Sequence, residues 1–238
     1  MNKEYSKNKY YKDNEIKQAK KLANDFYNKD YTPQLLRSGN KKLGSNVAIW
    51  DLPSIITCKY QCKDCYAIKA ERMYKNTRVM RAFHYEIIRQ ALKDSKKHYY
   101  FVNYINTELR RHALMCKLPV VRIHASGDFF SDDYYRLWQE IIVNNEDIKF
   151  YTYTKIYNNE VIDKINKCYD NFNIVKSLVD DKYLNYGDLD YLESVLKVLE
   201  AKGEEYHVCG YGHSDNKLSC MGNCTKCLHC SNVLFVKH

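Results

Sequence analysis

The chain has 238 residues, 45% of them hydrophobic, which is enough for one large domain with a sizeable core. Its formal net charge of +9 favours an anionic partner such as a nucleotide or nucleic acid, although abundant lysine, asparagine and tyrosine are also typical of an AT-rich genome. There is no apolar run of about 20 residues, and the polar start lacks a signal-peptide core, so we expect a cytoplasmic protein without a membrane span.

Ten cysteines in a chain without an export signal indicate metal binding, because disulfides are rare in a reducing compartment. Cys58, Cys62 and Cys65 have C-x3-C-x2-C spacing, and we call residues 58–65 the cysteine loop. A structural zinc site uses four ligands, usually in two separated pairs, whereas three clustered thiolates suit a [4Fe–4S] cluster with one open iron. The loop therefore predicts a three-cysteine cluster, and half a zinc knuckle is the alternative.

The residues before the cysteine loop contain one predicted helix and one predicted strand. Residues 1–12 are polar and rich in tyrosine, and we expect them to be loosely held. Apolar residues at helical spacing predict an amphipathic helix over 14–27. A loop over 34–45 precedes a buried strand over 46–52. The cysteine loop thus follows the carboxyl end of a strand, where α/β barrels place their chemistry.

Helices and strands alternate after the cysteine loop. Helices are predicted at 72–92, 98–116, 131–143, 160–169 and 189–201, and strands at 118–125, 148–153, 172–178 and 205–208. Such alternation predicts parallel βαβ units with right-handed crossovers. Because there is no glycine-rich dinucleotide loop, an α/β fold of the partial (β/α) barrel type fits better than a doubly wound sheet.

A Ser-Gly-Asp turn ends the clearest predicted strand and stands directly before a helix. Ser126 and Gly127 are small enough for the backbone to approach a ligand closely, and Asp128 can accept a hydrogen bond from an ammonium group. An ordinary strand-to-helix turn is the alternative. Ser131, followed by two aspartates, is a suitable start for the helix.

Four motifs occur in the same order as in a known family. They are L-G-S-N-V-A-I-W-D-L-P, C-Y-A-I-K-A-E-R, R-I-H-A-S-G-D-F-F and F-Y-T-Y-T-K. Together they resemble the phage-encoded family labelled gene product eighty-eight, and the likeness covers about residues 40–230. That family is similar to radical S-adenosylmethionine (radical SAM) proteins, so the resemblance implies a phage-type iron–sulfur protein.

The likeness to radical SAM enzymes implies a specific chemistry. A [4Fe–4S] cluster on the three loop cysteines would cleave S-adenosylmethionine reductively, and hydrogen would be taken from a substrate such as a nucleotide or nucleic acid. A reductase or a flavodoxin-type protein would supply the electron. The residues implied in cofactor binding are Tyr66, Ser126, Gly127, Asp128, Thr152 and Lys155.

The sequence departs from the radical SAM pattern at two positions. Asp64 stands before the third cysteine, where an aromatic residue normally packs on the adenine of the cofactor, and Tyr66 follows that cysteine instead. Asp128 is one methylene shorter than the glutamate that normally binds the methionine amino group. The Ser-Gly-Asp turn nevertheless resembles that glutamate's Gly-Gly-Glu element in position and chemistry.

A second cysteine set lies near the carboxyl end. Cys209, Cys220, Cys224, Cys227 and Cys230 supply enough thiolates for a second [4Fe–4S] cluster or a structural zinc. The resemblance points to all of these except Cys220. We therefore divide the chain into an N-terminal helical segment (1–45), a barrel (46–204) and a cysteine-rich extension (205–238).

Several other residues have two interpretations. His124 either faces the barrel interior or is a satisfied core histidine. Lys69, Arg72, Arg78 and Arg81 either bind an anionic substrate or form a solvated, charged helix face. Cys116 and Cys168 are predicted to be small buried residues.

Two functional alternatives to the radical SAM enzyme follow from the same residues. One is an iron–sulfur protein for electron transfer or sensing that does not cleave S-adenosylmethionine. The other is a zinc-stapled protein that binds nucleic acid, which the basic charge and the C-terminal cysteines would suit.

Overall fold

The computed structural model describes residues 5, 8–39, 46–58, 65–156, 159–177, 201, 207–209 and 232–235. Within these residues the chain forms seven helices and seven strands. The helices are α1 (Asp13–Tyr27), α2 (Ser54–Thr57), α3 (Tyr66–Met73), α4 (Lys75–Ala91), α5 (Ser95–Met115), α6 (Asp132–Val143) and α7 (Asn159–Cys168). The strands are β1 (Arg37–Ser38), β2 (Val47–Trp50), β3 (Val120–Ile123), β4 (Lys149–Thr154), β5 (Phe172–Ser177), β6 (His207–Cys209) and β7 (Asn232–Phe235).

The described strands form one sheet in the order β1-β2-β3-β4-β5-β7-β6. β1 is antiparallel to β2, and every other neighbouring pair is parallel. From β2 to β5 the spatial order follows the chain, and helices connect consecutive strands. The predicted α/β class with parallel βαβ units is therefore confirmed.

The two faces of the sheet carry different neighbours. Ala48 and Trp50 of β2 belong to a large apolar cluster that also contains buried residues of α1, α4, α5, α6 and α7. Val47 and Ile49, which point to the opposite face, belong to a small cluster made mostly of strand residues, including Tyr151. Because side chains alternate along a strand, these described helices cover one face of the sheet.

The N-terminal residues are packed against the domain, so the expectation that 1–12 are loosely held is wrong for those described. Tyr5, Asn8 and Tyr11 are buried. The Tyr5 hydroxyl donates a hydrogen bond to Glu86 on α4. A tyrosine can bury its ring while its hydroxyl reaches a polar partner, so a polar and tyrosine-rich composition does not imply solvation.

Some predicted boundaries change in the structure. The helix predicted over 72–92 is replaced by α3 and α4, which are separated at Tyr74, where the backbone is extended (φ −117°, ψ 113°). Helical periodicity continues across this single residue, so spacing did not reveal the break. The short strands β1 and β7 were not predicted, and the predicted helix over 189–201 lies outside the described residues except for residue 201.

Other boundaries agree closely with the sequence. α1 begins one residue before its predicted start, and Ser131 is the N-cap of α6, where its hydroxyl accepts the Tyr134 N–H. No helix in the described part of the chain has both the length and the apolar character needed to cross a membrane.

A buried ion pair joins α1 to α4. Arg78 donates from Nε to one oxygen of Glu15 at 2.7 Å and from Nη2 to the other at 2.6 Å. Burial would raise the pKa of Glu15, but the hydrogen bonds from Arg78 and from the Lys12 backbone outweigh it, so the pKa is lowered.

We expect acid to weaken the α1–α4 contact through Glu15. A carboxylate with a lowered pKa stabilises the fold above its unfolded pKa of about 4.3, and this stabilisation is lost as the pH falls through the folded pKa. In Glu15→Gln this part of the acid sensitivity should disappear, and the unpaired Arg78 should cost about 3–5 kcal/mol at neutral pH. Urea unfolding at several pH values measures both effects. Glu160→Gln, which breaks a pair exposed on both sides, is the control and should change little.

Candidate functional site

The two described cysteines of the loop stand at helix ends. Cys58 follows α2 as its C-cap, and its backbone N–H donates to the Ser54 carbonyl at 2.8 Å. Cys65 is the N-cap of α3, and its carbonyl accepts the Lys69 N–H at 3.1 Å. Both side chains are half-buried. Cys62 lies outside the described residues, so the structure describes the two ends of the predicted cluster site.

The carboxylate of Glu71 joins α2 to α3, the two helices that flank the cysteine loop. One oxygen accepts the Ser54 N–H at 2.8 Å and an Arg81 N–H at 2.9 Å. The other accepts the Ser54 hydroxyl at 2.8 Å and the Asn8 side-chain amide at 2.7 Å. Glu71 is 0% exposed. Because Ser54 begins α2 and Glu71 lies on α3, these hydrogen bonds fasten the helix before the cysteine loop to the helix after it.

Two of the four basic residues after the loop are buried, which neither interpretation predicted. Arg81 donates to Glu71 and, at 3.0 Å, to the Ala67 carbonyl. Arg78 pairs with Glu15 and also donates to the Glu71 carbonyl at 2.5 Å. Both guanidinium groups therefore neutralise buried carboxylates. The other two, Lys69 and Arg72, are exposed.

The Ser-Gly-Asp turn is attached to the end of β2. The Ser126 hydroxyl donates to the Leu52 carbonyl at 2.8 Å, and the Leu52 N–H donates to the Ser126 carbonyl at 2.9 Å. Gly127 has φ +88°, and a Cβ there would lie 2.5 Å from Thr57 Oγ1 and 2.7 Å from Leu52 Cβ. The close backbone approach that Gly127 permits is thus to Thr57, the residue before Cys58.

Tyr66 bridges the cysteine loop and β3. Its hydroxyl donates to the carbonyl of Ala125, directly before Ser126, and accepts a hydrogen bond from Arg122 at 3.4 Å. The Arg122 guanidinium also lies over the Tyr153 ring at 5.0 Å. Tyr66 is nevertheless 58% exposed. The structure therefore brings Cys65, Tyr66 and the Ser-Gly-Asp turn together at the carboxyl edge of the sheet.

Asp128 connects the end of β3 to the end of β4. Its carboxylate accepts the Phe129 N–H and the Thr154 hydroxyl, both at 2.8 Å, and the Lys155 N–H at 3.1 Å. Burial raises the pKa of Asp128 to about 6, although these hydrogen bonds act to lower it. Lys155 thus contacts Asp128 through its backbone, and Thr154 makes the side-chain contact.

His124 belongs to a buried hydrogen-bond network on the helix side of the sheet. The Tyr134 oxygen accepts the Trp50 indole N–H at 3.0 Å and lies 2.8 Å from His124 Nε2. His124 Nδ1 lies 3.3 Å from the Thr152 hydroxyl, and burial lowers the pKa of His124 to about 3, so the ring is neutral. The interpretation of His124 as a satisfied core histidine is confirmed. Thr152 is fully buried in the same network, and the structure does not bring its side chain to the group around Tyr66.

Two residues that shape this site were not singled out from the sequence. Glu71 lies inside the C-Y-A-I-K-A-E-R motif, but a helical glutamate beside basic residues is usually solvated. Thr57 gave no signal, because its contact with Gly127 depends on how two distant loops pack.

The C-terminal cysteines fall largely outside the described residues. Of the four predicted ligands there, Cys209 has its backbone at the end of β6, and Cys224, Cys227 and Cys230 are not described; Cys220 is not described either. Within the described residues, no group of three or more His, Cys, Asp or Glu side chains converges in a way that would hold a metal ion.

The prediction that the two isolated cysteines are buried is wrong. Cys116 is half-buried, with its sulfur 3.6 Å from His112 Nδ1, and Cys168 is exposed at the end of α7. Spacing predicted helices at both positions, but both residues fall at helix ends, where burial depends on the following chain.

The fold and this site define a mixed α/β protein in which Cys58 and Cys65, the described ends of the cysteine loop, lie near the carboxyl edge of a largely parallel sheet. The family described as Gene product 88 matches residues 15–232, and the chain belongs to that family. The family and the phage type predicted from the four motifs are thereby confirmed. The radical SAM part of the resemblance stays a prediction.

Two curated relatives match part of the chain. The Gene 88 protein of Mycobacterium phage L5 is 32% identical over 96 residues, which cover 40% of this chain and 39% of the relative. The Gene 88 protein of Mycobacterium phage D29 is 31% identical over 99 residues, with the same coverage of both chains. The chain thus spans about two fifths of the length of these relatives. No solved structure matches the chain.

We expect Glu71→Gln to loosen the cysteine loop. The variant leaves Arg81 buried without its charge partner, which should cost about 3–5 kcal/mol in the free energy of unfolding. Alkylation of the metal-free protein, followed by peptide mass analysis, should show faster labelling of Cys58 and Cys65. Cys168 is already exposed and serves as the internal control. Unchanged labelling of the loop cysteines would show that Glu71 does not set their positions.

The raised pKa of Asp128 predicts the opposite pH dependence from that of Glu15. A carboxyl with a raised folded pKa stabilises the fold below its unfolded pKa of about 3.9, and this stabilisation is lost as the pH rises through about 6. Relative to Asp128→Asn, the wild type should lose about 3 kcal/mol of unfolding free energy between about pH 3.5 and about pH 7. Urea unfolding across this range measures the difference. Parallel curves for the two proteins would contradict the prediction.

Proposed function

We propose that this protein is a radical SAM-type iron–sulfur enzyme, with a [4Fe–4S] cluster on Cys58, Cys62 and Cys65. The observation that carries the proposal is the packing of the Ser-Gly-Asp turn against the base of the cysteine loop. Gly127 touches Thr57, and Tyr66 donates to the carbonyl before Ser126. Parallel α/β proteins bind their ligands outside the carboxyl ends of the strands, which is the edge where these segments meet.

The donor set fits such a cluster. Three cysteines lie within eight residues, and the two that are described stand at the ends of two helices that Glu71 joins. The cluster and S-adenosylmethionine, when bound, supply reductive carbon–sulfur cleavage and hydrogen abstraction. The protein's own part is to hold the cofactor beside the loop and to exclude water.

Individual residues have defined parts in this proposal. Tyr66 directly follows Cys65, and its hydroxyl is hydrogen-bonded to the Ala125 carbonyl. Its exposed ring offers a flat face to an adenine. Asp128, in its ionised form, would accept a hydrogen bond from the methionine ammonium. Thr152 and Lys155, predicted to bind the cofactor, support the proposal less, because Thr152 is fully buried and Lys155 contacts Asp128 through its backbone.

The sheet supports a partial (β/α) barrel as the scaffold. The order of β2 to β5 follows the chain, and the described helices that contribute to the large cluster cover one face, whereas a doubly wound sheet has helices on both faces. We further propose a second [4Fe–4S] cluster or a zinc ion at Cys209, Cys224, Cys227 and Cys230. A reductase or flavodoxin-type protein would be the electron donor.

One observation favours a second candidate, an iron–sulfur protein for electron transfer or sensing that does not cleave S-adenosylmethionine. Asp128 is 2% exposed and already accepts three hydrogen bonds from the protein. A carboxylate with these partners has less capacity left for an ammonium group. In this candidate, S-adenosylmethionine would leave the absorption and paramagnetic resonance spectra of the cluster unchanged.

Anaerobic reconstitution with iron and sulfide tests the proposal. The reduced wild type should form 5′-deoxyadenosine from S-adenosylmethionine, because the cluster would be held by the three loop thiolates. Cys58→Ala and Cys65→Ala should each lose about four irons per chain and reduce this product to background. Cys168→Ala removes an exposed thiol at the end of α7 and should behave as wild type.

The other outcomes separate the candidates. An intact cluster without 5′-deoxyadenosine would favour the protein that does not cleave S-adenosylmethionine. Zinc without acid-labile sulfide would overturn both candidates.

A further inference from the structure

In the described stretch from residue 65 to residue 93, the exposed charged side chains are all basic. Between residues 65 and 93 the acidic residues are Glu71 and Glu86, which are 0% and 5% exposed. Lys69, Arg72 and Lys75 are all exposed on the same stretch. Because the buried carboxylates are paired with arginines inside the protein, they do not offset this surface charge. The face therefore has a positive potential.

Large apolar side chains are exposed among these bases. Tyr66, Met73 and Tyr74 are 58%, 63% and 56% exposed, all within nine residues of α3 and the residue after it. The Tyr66 hydroxyl is hydrogen-bonded to Ala125, so its ring is held in place while one side stays open to solvent. Exposed aromatic rings between basic residues are typical of surfaces on which unpaired bases stack.

The start of α4 adds to the same potential. Its N-cap, Tyr74, makes no side-chain hydrogen bond to the first turn, and that turn has no acidic residue. Lys75 instead stands at the first helical position, where the helix dipole disfavours a cation. A phosphate next to Lys75 would offset both effects.

The chemistry of this face distinguishes among anionic partners. Two of its three exposed large hydrophobic side chains are tyrosines and one is methionine, so it lacks the aliphatic stripe of a membrane-binding helix. The rings would have no partner in a DNA duplex, whose bases are already stacked. A single strand offers both phosphates for the bases and open base faces for the rings.

We propose that this surface, the α3 face (Tyr66, Lys69, Arg72, Met73, Tyr74 and Lys75), binds single-stranded nucleic acid. The binding itself requires no cluster. That the strand is the substrate rests on the proposed function, because the α3 face begins directly after Cys65. A bound strand would then run past the cysteine loop, and the nucleotide stacked on Tyr66 would lie next to it.

Fluorescence anisotropy with a labelled single strand of about 12 nucleotides, titrated with anaerobically purified protein, tests the proposal. The triple variant Lys69→Gln, Arg72→Gln, Lys75→Gln should bind about 100-fold more weakly at about 0.1 M salt, and the slope of log affinity against log salt should fall by about 2. Tyr74→Ser should weaken binding about 10-fold, because it removes one stacking ring.

Matched controls keep the net charge equal. Lys17→Gln, Lys164→Gln, Lys167→Gln changes three exposed lysines on α1 and α7, and Tyr99→Ser removes an exposed ring on α5. Both controls should bind as wild type. Equal losses in the two triple variants would overturn the proposal, as would equally tight binding of a duplex of the same sequence. Binding to phosphatidylserine vesicles in place of the oligonucleotide would also overturn it.

The same protein preparations separate this proposal from the proposed function. Formation of 5′-deoxyadenosine without any oligonucleotide reports on the cluster alone, and the α3-face triple variant should retain it. Wild-type protein that forms 5′-deoxyadenosine but does not bind the strand overturns only the proposed surface. Wild-type protein that binds the strand through the α3 face but forms no 5′-deoxyadenosine supports the surface and counts against the enzyme.

Discussion

The buried carboxylate of Glu71 is the interaction on which the geometry of the site depends. Four donors from the N-terminal segment, α2 and α4 converge on it, and it lies on α3. A buried carboxylate is costly to desolvate, so it is tolerated only when it is fully hydrogen-bonded and paired with a cation such as Arg81. The same requirement fastens α2 to α3, the helices on either side of the cysteine loop.

The loop is also held from the other side, by the ends of the strands. Ser126 fastens β3 to Leu52 after β2, and Asp128 fastens it to Thr154 at the end of β4. Gly127 lets this turn pack directly on Thr57. The three residues of the Ser-Gly-Asp turn, which the sequence implied in cofactor binding, thus also make contacts that hold the fold together. At Asp128 the two roles require the same oxygens, because the carboxylate accepts hydrogen bonds from the protein and is also proposed to accept one from the cofactor.

Much of the fold was predictable from local patterns, and the site was predictable in part. Periodicity predicted α1, α6 and the parallel strands β2 to β5, since burial of one face repeats at 3.6 or 2 residues. The composition of residues 1–12 gave a wrong expectation of exposure. Tyrosine carries a polar hydroxyl, but Tyr5 and Tyr11 are buried in this fold. The burial of Arg78 and Arg81 on α4 was equally unpredictable, because their carboxylate partners lie on other helices, on α1 and on α3.

The sequence by itself determined the class of the fold, the family and the position of the three-cysteine loop after a strand. These depend on periodicity, motif order and spacing, which are properties of neighbouring residues. The tertiary structure alone decided that Glu71 joins α2 to α3, that Asp128 accepts a hydrogen bond from Thr154 and that Lys69 and Arg72 stay on the surface while Arg78 and Arg81 do not. These outcomes depend on which groups, far apart in the sequence, pack together and exclude water from one another. Local sequence patterns do not contain that information.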